Sequence, residues 1–240
     1  MNRQRGMALL LVLWALALLT VLLGALVVEV RQQVALGFWQ REHTRASLAA
    51  EAGMNLAVRA LSDPAANRRW ITDGRTQTLR FDDASLQVSV RSERGKLDLN
   101  AASATDVSRL LTALGASPTQ ARTVAAALDQ RRAVGQPPLR ALEELRDLTG
   151  MSASLYQSLL DQVTVWSGMA SPDPAFATGV LRRALHLPDI QPLGVDAGPI
   201  VGIRSQAYLP DGITAVVDST VLLLPMDSGT RPFRVVRYNE

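Results

Sequence analysis

The sequence predicts an α+β protein: a long N-terminal transmembrane and stalk helix, an antiparallel sheet, and an all-α domain inserted between the strands. Three observations predict it. Residues 7–28 are free of charge, a run of about 22 residues that is long enough to cross a bilayer as a helix. Alternating apolar and polar residues, the mark of half-buried strands, occur before residue 92 and again after residue 200. Between those two regions the pattern turns helical at Gly95 and stays so for about 90 residues.

The N-terminal element begins with a short basic leader, Met1-Asn-Arg-Gln-Arg-Gly6, that abuts the apolar run. A secretory signal peptide fits poorly, because its apolar core is about 7 to 15 residues and ends in a small-residue cleavage site. Here the run is longer and no Ala-x-Ala follows it. A plain single-pass anchor accounts for the hydropathy. It does not account for the continued helical character through Glu29, Val30, Val34, Phe38, Leu48, Leu56 and Leu61, with no proline before Pro64. An unbroken helix from Met7 to Leu61 would be roughly 80 Å long. Asp63-Pro64 is expected to end it. Arg3 and Arg5 put the leader on the cytoplasmic side by the positive-inside rule. Arg31, Arg41 and Arg45 lie beyond the run, but Glu29, Glu42 and Glu51 are mixed among them.

Past the stalk, Leu79 and Phe81, then Leu86, Val88 and Val90, read as a hairpin turning at Asp82-Asp83. The middle block predicts helices over residues 104–114, 118–132, 139–148, 153–162 and 174–185. Ser103 with Asp106, and Ser117-Pro118 with Gln120, are N-terminal caps, and Gly115 and Gly150 are natural stops. Strands return over residues 201–209, 213–224 and 233–238, the first two joined by Pro210-Asp211-Gly212.

Composition limits the chemistry. There is no cysteine, so thiolate nucleophiles, disulfides and cysteine metal sites are excluded. His43 and His186 are the two histidines, and both read as surface residues. The formal net charge is +3, carried by arginine with the single lysine Lys96. No Gly-x-Ser-x-Gly elbow, phosphate-binding loop or His-Glu-x-x-His occurs, which argues against an enzyme. Trp14 lies in the apolar run and Trp39 just beyond it, while Trp70 and Trp166 are expected to be core anchors.

Arg5-Gly6-Met7-Ala8-Leu9-Leu10 resembles the prepilin-type leader. The resemblance implies cleavage by a prepilin peptidase between Gly6 and Met7 and N-methylation of Met7. Pilins and most pseudopilins carry glutamate at the fifth mature position, where this chain has Leu11. One class lacks that glutamate: the K-type minor pseudopilins of type II secretion systems. A carboxylate in a membrane helix is costly unless paired. In this family it is thought to pair with the terminal amine of the subunit above, for which a tip subunit has no use. Gly95-Lys96-Leu97-Asp98-Leu99-Asn100, Leu142-Glu143-Glu144-Leu145-Arg146-Asp147-Leu148-Thr149-Gly150-Met151 and Phe233-Arg234-Val235-Val236-Arg237-Tyr238 match the same class.

The resemblance implies five parts: a leader (1–6), a transmembrane segment (7–28), a stalk helix with the first strands of a pilin-like domain (29–94), an inserted helical domain (95–198) and closing strands (199–240). It implies a single-pass protein of the bacterial inner membrane with its C-terminal domain in the periplasm. The expected contacts are minor pseudopilins of the I and J types, the prepilin peptidase, the inner-membrane secretion machinery and membrane lipid. A minor pilin of a related type IV pilus system shares most of these features.

Calcium is associated with the inserted domain of some members. Here the stretch between Arg132 and Leu139 is short, and Asp98, Asp129, Glu143, Glu144 and Asp147 are scattered. They read as solvated carboxylates on helix faces and caps, and no metal or other cofactor is expected. The block also resembles helix-hairpin-helix modules of membrane-anchored DNA receptors. Its turns, Leu114-Gly115-Ala116-Ser117 and Gly150-Met151-Ser152, lack the second glycine that holds a phosphate. Arg122, Arg131, Arg132, Arg140 and Arg146 are interleaved with acid, which argues against DNA.

Overall fold

In the computed structural model the described residues are 3–63, 65, 68–133, 135–224 and 232–239, and in the first turns of the N-terminal helix the description is of the backbone. Pro64, the expected stop of the stalk, lies outside them, as do Met1 of the leader and Val134 of the short 133–138 link. Helix α1 (Arg3–Leu61) is unbroken over 59 residues, which makes it about 90 Å long. Its first part, residues 12–26 where side chains are described, is exposed along its whole surface. Its last part buries a mostly small-residue stripe, Ala46, Ala49, Ala50, Ala57 and Val58, with Met54 among them. That spacing puts all of them on one helix face.

The stripe packs on a five-stranded antiparallel sheet in the order β1-β2-β5-β6-β7. Strands β1 (Asp73–Phe81) and β2 (Ala84–Ser92) form the hairpin predicted, with Phe81 opposite Ala84 and the turn at Asp82-Asp83. Asp82 takes φ +54, a left-handed conformation that short polar residues tolerate. After the insert come β5 (Ile200–Tyr208), β6 (Thr214–Leu223) and β7 (Phe233–Asn239). Leu86, Val88 and Val90, Val201, Ile203 and Ala207, and Ala215, Val217 and Val221 alternate inward and close one core with α1. Each buried Leu or Val contributes roughly 1.5–3 kcal/mol over its exposed state. Trp70 is packed against this core, as expected.

Residues 93–199 are a second body with its own core. A 3-10 turn (Glu93–Gly95) leads to β3 (Leu97–Asp98), α2 (Ala104–Ala113) and α3 (Pro118–Arg131). The Ser103 and Ser117 side chains accept the Asp106 and Gln120 N–H groups, the caps expected. Gly115 and Gly150 take positive φ, +95 and +89. Then follow a 3-10 helix (Leu142–Asp147), α4 (Ala153–Leu159), β4 (Val163–Thr164) and α5 (Gly179–Leu185). Trp166 packs against the core of this body.

Three helices are shorter than predicted. The 139–148 segment begins in extended backbone after Pro137-Pro138, and only 142–147 winds, as a 3-10 helix. The 153–162 helix stops at Leu159: the Gln162 carbonyl accepts the Leu97 N–H at 2.9 Å, and Val163–Thr164 directly after it pairs in parallel with Leu97–Asp98. In the 174–185 segment, Asp173 accepts the Ala175, Phe176 and Ala177 N–H groups in a tight turn, and the helix starts only after its cap, Thr178. The insert therefore carries a two-residue parallel ladder within its helices.

Candidate assembly interface

Two contacts orient the sheet along the stalk. Arg45 Nη2 pairs with Asp83 in the β1–β2 turn at 2.9 Å, and the Trp70 N–H, just before β1, donates to the Ala60 carbonyl at 3.4 Å. Strand β2 thus starts beside Arg45, in the last third of α1, and ends near the helix's C-terminal end. The insert leaves the sheet there, after Ser92, at the end remote from the apolar run.

The joint is buried and specific. Ser92 Oγ donates to the Ala197 carbonyl at 2.5 Å and accepts the Arg94 N–H at 3.1 Å. Glu93 is 1% exposed; its Oε1 accepts Lys96 Nζ at 2.7 Å and its Oε2 has no partner. Gly95 faces the Phe176 carbonyl so closely that a Cβ there would overlap it.

The run from Gly95 to Asn100 is therefore structural. Leu97 and Leu99 are buried in the insert core. Asp98, read from the sequence as a solvated carboxylate, is instead 0% exposed on β3. It accepts the N–H groups of Asn100 (2.8 Å) and Gly168 (2.6 Å) and the Ser167 hydroxyl (3.1 Å). Asn100 accepts the Leu139 N–H at 2.8 Å and donates to the Leu139 and Val165 carbonyls. An Asp two residues before an Asn at a strand end is an Asx-turn signal that would have marked this anchor.

The other acids are outside that core. Asp129 pairs with Arg132, Glu144 with Arg131 at 2.5 Å, and Glu143 with Arg237 at 3.0 Å, while Asp147 is exposed. Among the described residues no three His, Asp or Glu side chains converge as a metal site would require. Glu144 also accepts the Arg140 and Ala141 N–H groups. The Arg140 N–H above all, aided by Arg131, holds its carboxyl below its ordinary range against the opposing effect of burial.

Of the five arginines considered for nucleic acid, Arg131 and Arg132 are in ion pairs. Arg122 donates to the Pro118 carbonyl and Arg146 lies 4.6 Å over the Tyr156 ring, leaving Arg140 exposed. Phosphate recognition needs clustered positive charge, and here much of it is already neutralised or committed. His43 and His186 are exposed, as expected; His43 stacks on Trp39 with ring centroids 5.0 Å apart. Gly6, Met7 and Leu11 lie in the first turns of α1.

No family profile matches the chain. A curated relative, the type II secretion system protein K of Klebsiella pneumoniae, is 31% identical over 206 residues, 68% of this chain and 63% of the relative. The chain thus spans somewhat less than two thirds of that relative's length. Among solved structures, a chain of the GspK-GspI-GspJ complex from the enterotoxigenic Escherichia coli type 2 secretion system matches with a TM-score of 0.59. The match covers 83% of this chain and 97% of that one at 17% identity, a likeness of fold.

Proposed function

We propose that this chain, similar in sequence to a type II secretion system protein K and in fold to a chain of the GspK-GspI-GspJ complex, is a K-type minor pseudopilin at the tip of the type II secretion pseudopilus. In this reading it helps initiate and cap the filament used for protein export across the outer membrane. The observation that carries the proposal is the placement of the insert: a second folded body leaves the sheet at the end of the stalk remote from the apolar run. A body of that size at the distal end would obstruct addition of another subunit above it.

The remaining parts follow from the same reading. The apolar run anchors the chain in the bacterial inner membrane and the folded bodies lie in the periplasm. Prepilin peptidase cuts between Gly6 and Met7, and Met7 is N-methylated. Leu11 suits a subunit with no terminal amine above it to neutralise, since an unpaired carboxylate within the membrane is costly. The solved relative is in complex with GspI and GspJ, and we carry those two types over as the partners of this chain.

Coexpression with a prepilin peptidase tests the processing, and the chain should lose its first six residues. An intact Met1 terminus in the presence of active peptidase would overturn it. Copurification of the processed chain with I-type and J-type subunits tests the tip assignment. Tight binding of duplex DNA that falls steeply with salt, without such copurification, would replace that assignment with a receptor role.

A further inference from the structure

The insert meets the sheet in two places of different character. At the crossing, residues 92–96 and 196–199, contacts are short and mostly buried. Besides the Ser92, Glu93 and Gly95 contacts above, the Asp173 N–H donates to the Arg94 carbonyl at 2.8 Å, and Arg94 Nη1 reaches the Asp196 carboxylate at 3.0 Å. Away from the crossing, a polar cleft of about 670 Å³ separates the end of α4 from the sheet. Gln157 and Asp161 line one wall, and Arg204, Asp218 and Arg237 line the other.

Among the described residues, one ion pair joins a helical element of the insert to the sheet. Arg237 of β7 donates through Nε (3.3 Å) and Nη2 (3.0 Å) to Glu143 Oε1 in the 3-10 helix. The cleft's charges are mixed: Asp161 and Asp218 share it with Arg91, Lys96, Arg204 and Arg237, and Arg204 pairs with Asp218 at 3.1 Å. The two bodies have separate hydrophobic cores. Widening the cleft therefore exposes polar surface that is already wetted, and domains joined in this way move relative to one another by default.

We propose that the Arg237–Glu143 pair is a releasable latch that holds the inserted domain down over the sheet, and that the domain turns about the crossing when the pair breaks. The pair has side chains 21% and 48% exposed, and a pair so exposed to solvent is weak. A competing charged group on a partner subunit suffices to open it. The latch is read within this one chain and does not depend on the tip assignment.

The absence of cysteine makes the test direct. Thr78→Cys on β1 and Thr119→Cys on α3, both exposed in the native chain, put one spin label on each body in the full chain in detergent. Pulsed dipolar spectroscopy should give one dominant distance. Arg237→Glu should raise a second population roughly two- to five-fold, added salt should act in the same direction, and combining Arg237→Glu with Glu143→Arg should restore the single distance. Glu143→Gln, at the more exposed partner, decides the matter should Arg237→Glu fail to fold. An unchanged distribution in the single variants, or a charge-swapped pair that folds and stays open, would overturn the latch.

Discussion

Gly53 of α1 lies against Ser205 of β5 with no room for a side chain: a Cβ at residue 53 would overlap the Ser205 hydroxyl and stand 3.2 Å from Val88 Cγ2. Ser205 is 0% exposed and its hydroxyl has no partner. Gly53→Ala gains about 1 kcal/mol of helix propensity, but overpacking costs about 1–3 kcal/mol, so the variant should unfold more easily. Ser205→Ala removes the unpaired hydroxyl and should stabilise by about 1 kcal/mol. It should also recover part of the Gly53→Ala loss when the two are combined. Denaturant melts of the four proteins in detergent check this; a Gly53→Ala protein more stable than the parent would refute the close approach.

Asp98 anchors the insert by three accepted hydrogen bonds in a fully buried site. Asp98→Ala would strand those donors and should destabilise the insert by about 3 kcal/mol. Asp98→Asn keeps one acceptor and should lose less. Hydrogen exchange, resolved by segment, should show lost protection near Ser167 and Gly168 while β1 and β2 keep theirs.

Glu144 and Asp218 predict opposite responses to pH. The folded chain holds the Glu144 carboxyl below its ordinary value of 4.5, first through the Arg140 N–H. Its stabilisation is therefore complete above pH 4.5 and is lost as pH falls through the lowered pKa. Glu144→Gln should be less stable than the parent at neutral pH, and the gap should close in acid. Asp218 is pushed above 3.8, first by burial, with Asp161 adding to the rise and Arg204, Arg237 and Lys96 opposing it. Its charge destabilises the fold above the raised pKa and has no effect below 3.8. Asp218→Asn should thus be more stable at neutral pH, the gain vanishing in acid. Melts at pH 7 and pH 3 separate the two signs.

Gly95 touches the Phe176 carbonyl, and main chain cannot rotate away as a side chain can. Gly95→Ala already sets a Cβ onto that carbonyl, so Gly95→Ala and Gly95→Val should both disrupt the crossing and loosen the insert. Limited proteolysis should cut first near residues 93–96, and a Gly95→Ala protein as resistant as the parent would argue against the contact.

Much of the fold was legible because its signals are local. The alternation of Leu86, Val88 and Val90 and the Ser103 and Ser117 caps each state their structure within a few residues, whereas on the stalk the named Leu48 is exposed and the face that packs is the one carrying Ala46, Ala50 and Ala57. The 139–148, 153–162 and 174–185 segments misled for a related reason. Helical periodicity there is real but short; long-range partners took part of the first two, and a local turn on Asp173 took the start of the third. The 153–162 helix ends early where Val163–Thr164, just after it, pairs with Leu97–Asp98, more than sixty residues away in sequence.

Taken alone, the sequence determined the long apolar and amphipathic N-terminal helix, the antiparallel sheet and the helical block placed between its strands, because hydrophobic periodicity and turn chemistry are properties of neighbouring residues. Only the tertiary structure decided that Asp98 is buried while Asp129 and Asp147 are not, that Gly53 lies against Ser205, and that Arg237 reaches Glu143 from 94 residues away. A carboxylate's environment and an ion pair's partner depend on how separate elements pack together, which no local pattern encodes.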